Sequence, residues 1–154
     1  MRISAKADYG LRALIELAVL EQQGGRPVKR DQLGAAQDIP VAFLENILLE
    51  LKRAGIVVSV RGQQGGFRLS RPPEEIWLAQ VIRALEGPLA SVRGVRPEDL
   101  DYPGRAQPLR EVWIAVRANL RAVLEQISLA DLVSGDLPKE IHPLVSPPEA
   151  WRPH

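Results

Sequence analysis

The chain has 154 residues, of which 45% are hydrophobic and 25% are charged, and it contains no cysteine. This length and hydrophobic content suit one globular domain and argue against a disordered chain. The missing cysteine excludes disulfides, thiolate catalysis and cysteine-ligated metals. Because the first residues, MRISAKADYG, are too polar for a signal peptide and the apolar runs are too short to span a membrane, we expect a soluble cytoplasmic protein with no membrane partner.

Positive charge is concentrated in one region, although the formal net charge is only +1. Residues 26–73 carry eight basic and four acidic side chains, whereas residues 84–154 carry eight basic and ten acidic ones. Such a local excess of cations is expected where only one region of a protein meets an anionic partner.

The first part of the chain predicts three helices. A first helix is expected from the N-cap Ser4 to about Gln22, a short second one within residues 28–40, and a third over residues 41–55. The third helix carries an apolar stripe at helical spacing, made of Leu44, Ile47, Leu48 and Leu51.

The next segments predict a β-hairpin. Residues 56–60 have the sequence IVVSV, which is β-branched and typical of a strand, and residues 67–70, FRLS, can pair with them. Three helices followed by a two-stranded hairpin is the element order of a winged helix-turn-helix domain. The expected fold class is therefore mainly α with a small β-hairpin wing, followed by a long dimerisation helix.

The second part of the chain predicts further helices around a loop. Residues 76–87 have the pattern of a helix, and residues 88–108, rich in glycine and proline, that of a loop. Ser128 is expected to cap a short helix, with Asp131 completing a capping box. The tail from residue 135 contains five prolines and is expected to be irregular.

A long helix predicted over residues 108–127 has more apolar surface than its own domain can easily cover. Leaving that face in water would be costly, since each buried Val or Leu contributes roughly 1.5–3 kcal/mol. The simplest cover is the same helix of a second copy, which would make a symmetric dimer; the alternative is packing on the N-terminal part of its own chain. The expected dimer-interface residues are Leu109, Val112, Trp113, Val116, Leu120, Val123, Leu124 and Ile127.

The hairpin tip combines glycines with an arginine. Gly62, Gly65 and Gly66 permit positive φ angles and a close approach of the backbone to a ligand. A nucleotide phosphate would need a glycine loop that opens into a helix, which is not the case here. DNA fits better, with Arg61 reaching the minor groove or the phosphates, while an ordinary turn remains the alternative.

The polar face of the third helix favours DNA as well. Its first turns carry Ala42, Glu45 and Asn46, which suit a helix whose end lies in a major groove. Glu45 can accept a hydrogen bond from the N4 amino group of cytosine, and Asn46 can contact adenine or phosphate. A solvated face is the alternative, but the position of this helix directly before a basic hairpin makes DNA the better interpretation.

The chain contains the segments MRISAKADYGLRALIELA, IPVAFLENILLELKRAGIV and VRGQQGGFRLSR. Together they resemble the IscR-type (Rrf-two) family of winged helix-turn-helix transcriptional regulators, and the later SLADLV extends the resemblance from Met1 to about Val133. The resemblance implies a homodimer that binds palindromic promoter DNA, with one helix in the major groove and the wing in the minor groove.

The same resemblance assigns roles to single residues. It implies that Glu45 reads bases, that Arg61 enters the minor groove, and that Ala42 and Phe43 lie where the family makes major-groove and phosphate contacts. Ala42 often corresponds to a serine in the family, so the sequence preference is expected to differ here.

The chain departs from the family pattern in the loop at residues 88–109. Many relatives have three cysteines there and bind an iron–sulfur cluster, whereas this chain has none, so cluster ligation of the usual kind is excluded. Glu98, Asp99 and Asp101 could hold a hard cation, but such a site needs further ligands, and solvated loop acids are the simpler interpretation. We therefore expect no cofactor and no metal, and His142 is expected at the surface.

These observations predict a dimeric transcriptional regulator that binds DNA sequence-specifically and acts as a repressor. Its expected partner is double-stranded DNA with a palindromic promoter site. The alternative is a winged-helix module that reads a partner protein or an unknown effector, with DNA binding dependent on that partner. No catalytic set is visible, so an enzyme is not expected. The expected DNA-binding residues are Lys6, Ala42, Phe43, Glu45, Asn46, Lys52, Arg53, Arg61, Gly62, Gln63, Gly65, Gly66 and Arg68.

The predicted domain organisation has three parts. Residues 1–83 form the winged helix-turn-helix domain, residues 84–134 the loop and dimerisation helix, and residues 135–154 a proline-rich C-terminal tail.

Overall fold

A computed structural model describes residues 3–153 of the chain. Within that range it contains helices and one two-stranded antiparallel hairpin, which confirms the expected fold class. In chain order the elements are α1 (Ala5–Gly24), α2 (Arg30–Gln37), α3 (Val41–Arg53), β1 (Val57–Val60), β2 (Gly66–Leu69), α4 (Leu78–Glu86), α5 (Leu109–Leu124), α6 (Leu129–Ser134) and α7 (His142–Val145).

Helix α1 is the central element of the core. It begins where the sequence predicts, because the Ser4 hydroxyl accepts a hydrogen bond from the backbone N–H of Ala7 at 3.1 Å. It ends at Gly25, whose φ of +60° is a left-handed conformation that glycine adopts without strain. Its buried face packs against α2, α3, α4, α6 and β2.

Helix α3 packs inward through the apolar stripe that the sequence predicts. All four of its stripe residues are at most 1% exposed: Leu44, Ile47, Leu48 and Leu51. Because one face of α3 is fully committed to the core, the opposite face is held towards solvent.

The hairpin pairs Val57 with Leu69 and Val60 with Gly66, in antiparallel register. Its base is extended by a third segment that sequence reasoning does not identify. Val28 and Phe67 exchange two backbone hydrogen bonds of 2.9 and 2.8 Å, so the residues just before α2 pair with β2. This pairing joins the wing to the start of the helix-turn-helix.

The long helix predicted over residues 108–127 is shorter in the structure and ends at Leu124. Beyond it the chain turns back, because the Ile127 carbonyl accepts from the Leu78 amide at 2.9 Å and the Leu129 amide donates to the Ile76 carbonyl at 2.8 Å. The prediction that Ile127 lies in a dimer interface is therefore wrong: the residue is 6% exposed and belongs to the interior of its own protomer.

The C-terminal segments are more regular than expected. The Ser128–Asp131 capping box that begins α6 is present as predicted. The tail, expected to be irregular, contains the short helix α7 and a 3₁₀ turn at Pro148–Trp151. The three-part domain division stays a prediction. None of the helices within residues 3–153 is both long enough and apolar enough to cross a membrane.

Candidate nucleic-acid interface

The first turns of α3 present their polar face to solvent. Ala42, Phe43, Glu45 and Asn46 are all exposed, while their neighbours on the other face form the core. The Phe43 ring is 58% exposed and meets the edge of the Tyr9 ring at a centroid distance of 6.3 Å. The residues that the sequence assigns to major-groove contact therefore lie together on one accessible surface.

The wing tip is a tight turn whose glycines serve mainly the fold of the hairpin itself. A Cβ atom on Gly65 would lie 2.3 Å from the Val60 carbonyl oxygen, and one on Gly66 would lie 2.4 Å from the Val28 carbonyl oxygen. Only Gly62, with φ of +109° and open space around it, has room to approach a ligand. The alternative of a structural turn thus accounts for two of the three glycines.

Arg61 and Gln63 are exposed at this tip. Between the tip and the helix-turn-helix lies a cleft of about 460 Å³. Its lining includes Lys29, Arg30, Asp31, Glu45, Gly62, Gln63 and Phe67. The wing and α3 therefore face a common cleft, whose charged lining residues are two cations and two carboxylates.

Arg30 is a functional candidate that sequence reasoning missed. Its Nη1 atom lies 3.2 Å from Oε2 of Glu45, and its Nε atom lies 3.2 Å from Oδ1 of Asp31. The sequence shows Arg30 only as one of several cations. Nothing local indicates its pairing with a carboxylate fifteen residues later, because that contact depends on how α2 and α3 pack.

The cations expected to contact phosphates differ in whether their side chains already have partners within the protein. Arg53 is exposed, and Lys52 donates to the Ser59 hydroxyl at 2.6 Å. Lys6 forms an ion pair of 3.1 Å with Glu50 on α3. Arg68 donates to the Gly25 carbonyl and so ties β2 to the end of α1. Contacts of Lys6 and Arg68 with DNA would compete with these internal contacts.

Helix α5 carries the remaining predicted surface. None of its sixteen residues, all of which the structure describes, is buried. Near its start, Leu109 is 41% and Val112 48% exposed. At its other end, Leu124 packs against α4. The stripe residues Trp113, Val116, Leu120 and Val123 are half-buried, so the alternative of packing on its own chain holds in part for the helix beyond its start.

An apolar groove of about 650 Å³ runs beside α5, between the start of α1, α4 and the segment at residues 87–92. Four of the predicted interface residues line it: Trp113, Val116, Leu120 and Leu124. Leu109 and Val112 do not line this groove, but Val116, one turn after Val112 on the same face of α5, does.

The loop before α5 is held to that helix by polar contacts. The Glu98 carboxylate accepts a charge-assisted hydrogen bond from Arg117, the Glu98 carbonyl accepts from Arg110 at 2.7 Å, and the Tyr102 hydroxyl accepts from Trp113 Nε1 at 3.0 Å. The backbone N–H of Glu98 and then the Arg117 guanidinium hold the pKa of the Glu98 carboxyl below its ordinary value. Glu98 is thus committed to an ion pair.

Comparison with known proteins identifies one family. A family model described as "Rrf2: Iron-dependent Transcriptional regulator" matches residues 3–135. A Mycobacterium tuberculosis protein, Rv1287, named only as a candidate helix-turn-helix transcriptional regulator, is 48% identical over 92% of this chain and 86% of its own. The transcriptional regulator CymR of Bacillus subtilis is 35% identical over 87% of this chain and 91% of its own.

Solved structures agree with the sequence comparisons. The structure of B. subtilis CymR, described as the global cysteine regulator, superposes with a TM-score of 0.72 at 32% identity, covering 88% of this chain and 98% of that one. T. potens IscR superposes with a TM-score of 0.69 at 32% identity, covering 88% of both chains. All of these relatives are named as regulators, and none is named as an enzyme.

The family description names iron, but the residues of this chain do not fit an iron site in the loop before α5. The chain has no cysteine, and the Glu98 carboxylate is paired with Arg117. Within residues 3–153, no group of three or more His, Cys, Asp or Glu side chains is arranged to hold a metal ion. The polar contacts of Glu98 and Tyr102 hold this loop instead.

Proposed function

The chain belongs to the Rrf2 family of transcriptional regulators, and we propose that it acts as a homodimeric, sequence-specific DNA-binding repressor. The observation that carries this proposal is the cleft shared by the first turns of α3 and the wing. Glu45 and Gln63 line it from its two sides, with Arg61 exposed beside it at the tip. A helix surface for the major groove and an arginine for the minor groove then act on neighbouring parts of one duplex.

Affinity and selection come from different residues in this proposal. Exposed cations such as Arg53 supply the salt-dependent attraction to phosphates, which is independent of sequence. Glu45 and Asn46 on α3 supply selection, because carboxylate and amide groups can hydrogen-bond to base edges.

The exposed apolar start of α5, with Leu109 and Val112, supports the proposed dimer. A single winged domain makes few base contacts, whereas two linked domains gain affinity through effective concentration and fix the spacing of two half-sites. Occupancy of a promoter by such a dimer is enough to block transcription, which is why repression is proposed.

Selection of duplexes from a random pool by the purified full-length protein, at fixed salt, tests the proposal. We expect a palindromic consensus, and we expect transcription from a promoter that carries it to fall when the protein is added in vitro. Failure to enrich any sequence would refute sequence-specific binding, and a consensus without two-fold symmetry would refute the dimer on DNA.

The apolar groove beside α5 favours a second candidate, an effector-sensing module whose DNA binding depends on a bound partner. The two candidates differ in one measurement. A groove-dependent regulator would gain or lose DNA affinity when a cell extract or metabolite mixture is added, whereas the primary proposal gives full affinity with the purified protein alone.

A further inference from the structure

The pair of Arg30 and Glu45 is built from two different helices and is placed at the cleft between α3 and the wing. Arg30 is the first residue of α2, and Glu45 lies in the second turn of α3. Their side chains are 36% and 67% exposed, with 3.2 Å between Nη1 and Oε2. Any base edge that the Glu45 carboxylate reaches is therefore also within reach of the Arg30 guanidinium.

The Arg30 guanidinium keeps donors free in this arrangement. It has five N–H donors, and its contacts with Asp31 and Glu45 engage only two of its nitrogen atoms. The neighbouring charged side chains that face it are those of Lys29, Asp31 and Glu45, all of which line the same cleft. Arg30 can hold the Glu45 carboxylate and donate to another acceptor at the same time.

From these contacts we propose that Arg30 and Glu45 together read one C·G base pair in the major groove, an inference that rests on the proposed DNA-binding function. Cytosine presents an N4 amino donor there, and guanine presents the O6 and N7 acceptors. A carboxylate beside a guanidinium is the chemical complement of that edge.

The spacing of the ion pair fits this assignment. The cytosine N4 and guanine O6 atoms are joined by a Watson–Crick hydrogen bond of about 2.9 Å. The Arg30 and Glu45 atoms lie 3.2 Å apart. The guanidinium can thus face guanine while the carboxylate faces cytosine, without either side chain leaving its helix.

The pairing also removes an electrostatic difficulty. A lone carboxylate that enters the major groove is repelled by the phosphates on both strands. Arg30 and Lys29 offset the charges of Glu45 and Asp31, which line the same cleft, so the Glu45 carboxylate approaches the bases within a cluster of no net charge. An A·T pair at the same position offers thymine O4 and a methyl group instead of the two guanine acceptors, so the bidentate contact of Arg30 is lost.

Replacement of single guanines by 7-deazaguanine tests the proposal with the full-length protein and the duplex it selects. This base lacks only the N7 acceptor. We expect one guanine in each half-site whose replacement weakens binding of the wild type but not of Arg30→Ala. We expect Arg30→Ala itself to lose about 5- to 150-fold in affinity for the selected duplex. Arg30→Ala should lose less affinity for a duplex in which that C·G pair is exchanged for A·T than it loses for the selected duplex.

Arg53→Ala is the matched control, because it removes an exposed arginine at the end of α3 and should weaken binding to all sequences by one factor. The double variant of Arg30→Ala and Glu45→Ala should lose less than the product of the single losses, since the two groups act on one base pair. Thermal unfolding checks that each variant is folded.

Three results would overturn the inference: a uniform loss of affinity with Arg30→Ala on every sequence, unchanged affinity, or increased affinity. These results would leave the proposed function standing, because the wild type would still select a palindromic duplex. Failure of the wild type to select any duplex would instead refute the proposed function.

Discussion

Arg61 and Arg71 show how differently two arginines of one hairpin region are used. Arg61 is exposed at the tip of the wing. Arg71 is half-buried and donates to the carbonyls of Gly55 and Glu75 and to the side chain of Gln80, all at 3.0 Å. The first has its donors directed to solvent, whereas the second connects the hairpin to α4.

Arg61→Ala should therefore weaken binding to the selected duplex without changing the stability of the fold. We expect a loss of about 1–3 kcal/mol in binding free energy, measured by fluorescence anisotropy at fixed salt. Arg71→Ala is the control: it should lower the unfolding midpoint in urea and leave the binding of the folded protein near the wild-type value. Unchanged affinity of Arg61→Ala would remove the wing from the interface.

For single residues, the sequence predicts which side chains are exposed better than it predicts which groups they contact. The positions of Glu45 and Asn46 on the outer face of α3 follow from the spacing of the buried leucines, which is a local property. The contacts of Arg30 with Glu45 and of Arg68 with Gly25 join residues far apart in the chain. They depend on helix packing, which no local pattern contains.

Among the elements, those with local end signals are predicted closely. Ser4 begins α1 and Ser128 begins α6, as expected, because a hydroxyl N-cap acts within one turn. The end of α5 is not predictable in this way. The apolar spacing continues to Ile127, but the chain leaves the helix at Leu124 because residues 127–129 pair with residues 76–78.

The loop at residues 88–108 is held on α5 by an ion pair whose strength depends on pH. The pKa of Glu98 is lowered in the folded protein, so its ionised form is favoured by folding. The stabilisation is present above the ordinary pKa of 4.5 and is lost as the pH falls through the lower folded value.

Glu98→Gln should thus lower the urea midpoint at about pH 7, and the difference from the wild type should shrink as the pH falls towards about 3. Asp99→Asn, which alters the exposed neighbouring carboxylate, should change the midpoint less at about pH 7. Chemical unfolding followed by circular dichroism measures both. A difference that stays constant across this pH range would show that the Glu98 carboxylate does not stabilise the loop through its charge.

At the scale of the whole molecule, the exposed apolar residues at the start of α5 predict a dimer. A face with Leu109 and Val112 nearly half exposed, next to an apolar groove, is unusual for a protein that acts alone. Helical spacing fixes which side chains share this face of α5 as far as residue 124, and its role as a dimer interface stays a prediction.

Val112→Glu should convert the dimer to monomers and reduce DNA affinity by about 10²- to 10⁴-fold, because the gain from two linked domains is lost. Ala118→Glu adds the same charge at an exposed position on the opposite face of α5 and should leave both properties unchanged. Sedimentation velocity at micromolar concentration measures the assembly. A wild type that sediments as a monomer, or a Val112→Glu protein that still dimerises, would contradict the α5 interface.

The strand-like pairing of Val28 with Phe67 has a mechanical consequence. Val28 lies two residues before Arg30, and Phe67 lies next to the tight tip of the wing, so two backbone hydrogen bonds join the wing to the segment that leads into α2. In the proposed complex with DNA, a displacement of the wing tip caused by the width of the minor groove would also displace the beginning of α2. The protein would then sense the local shape of the double helix as a tilt of its own base-contacting side chains.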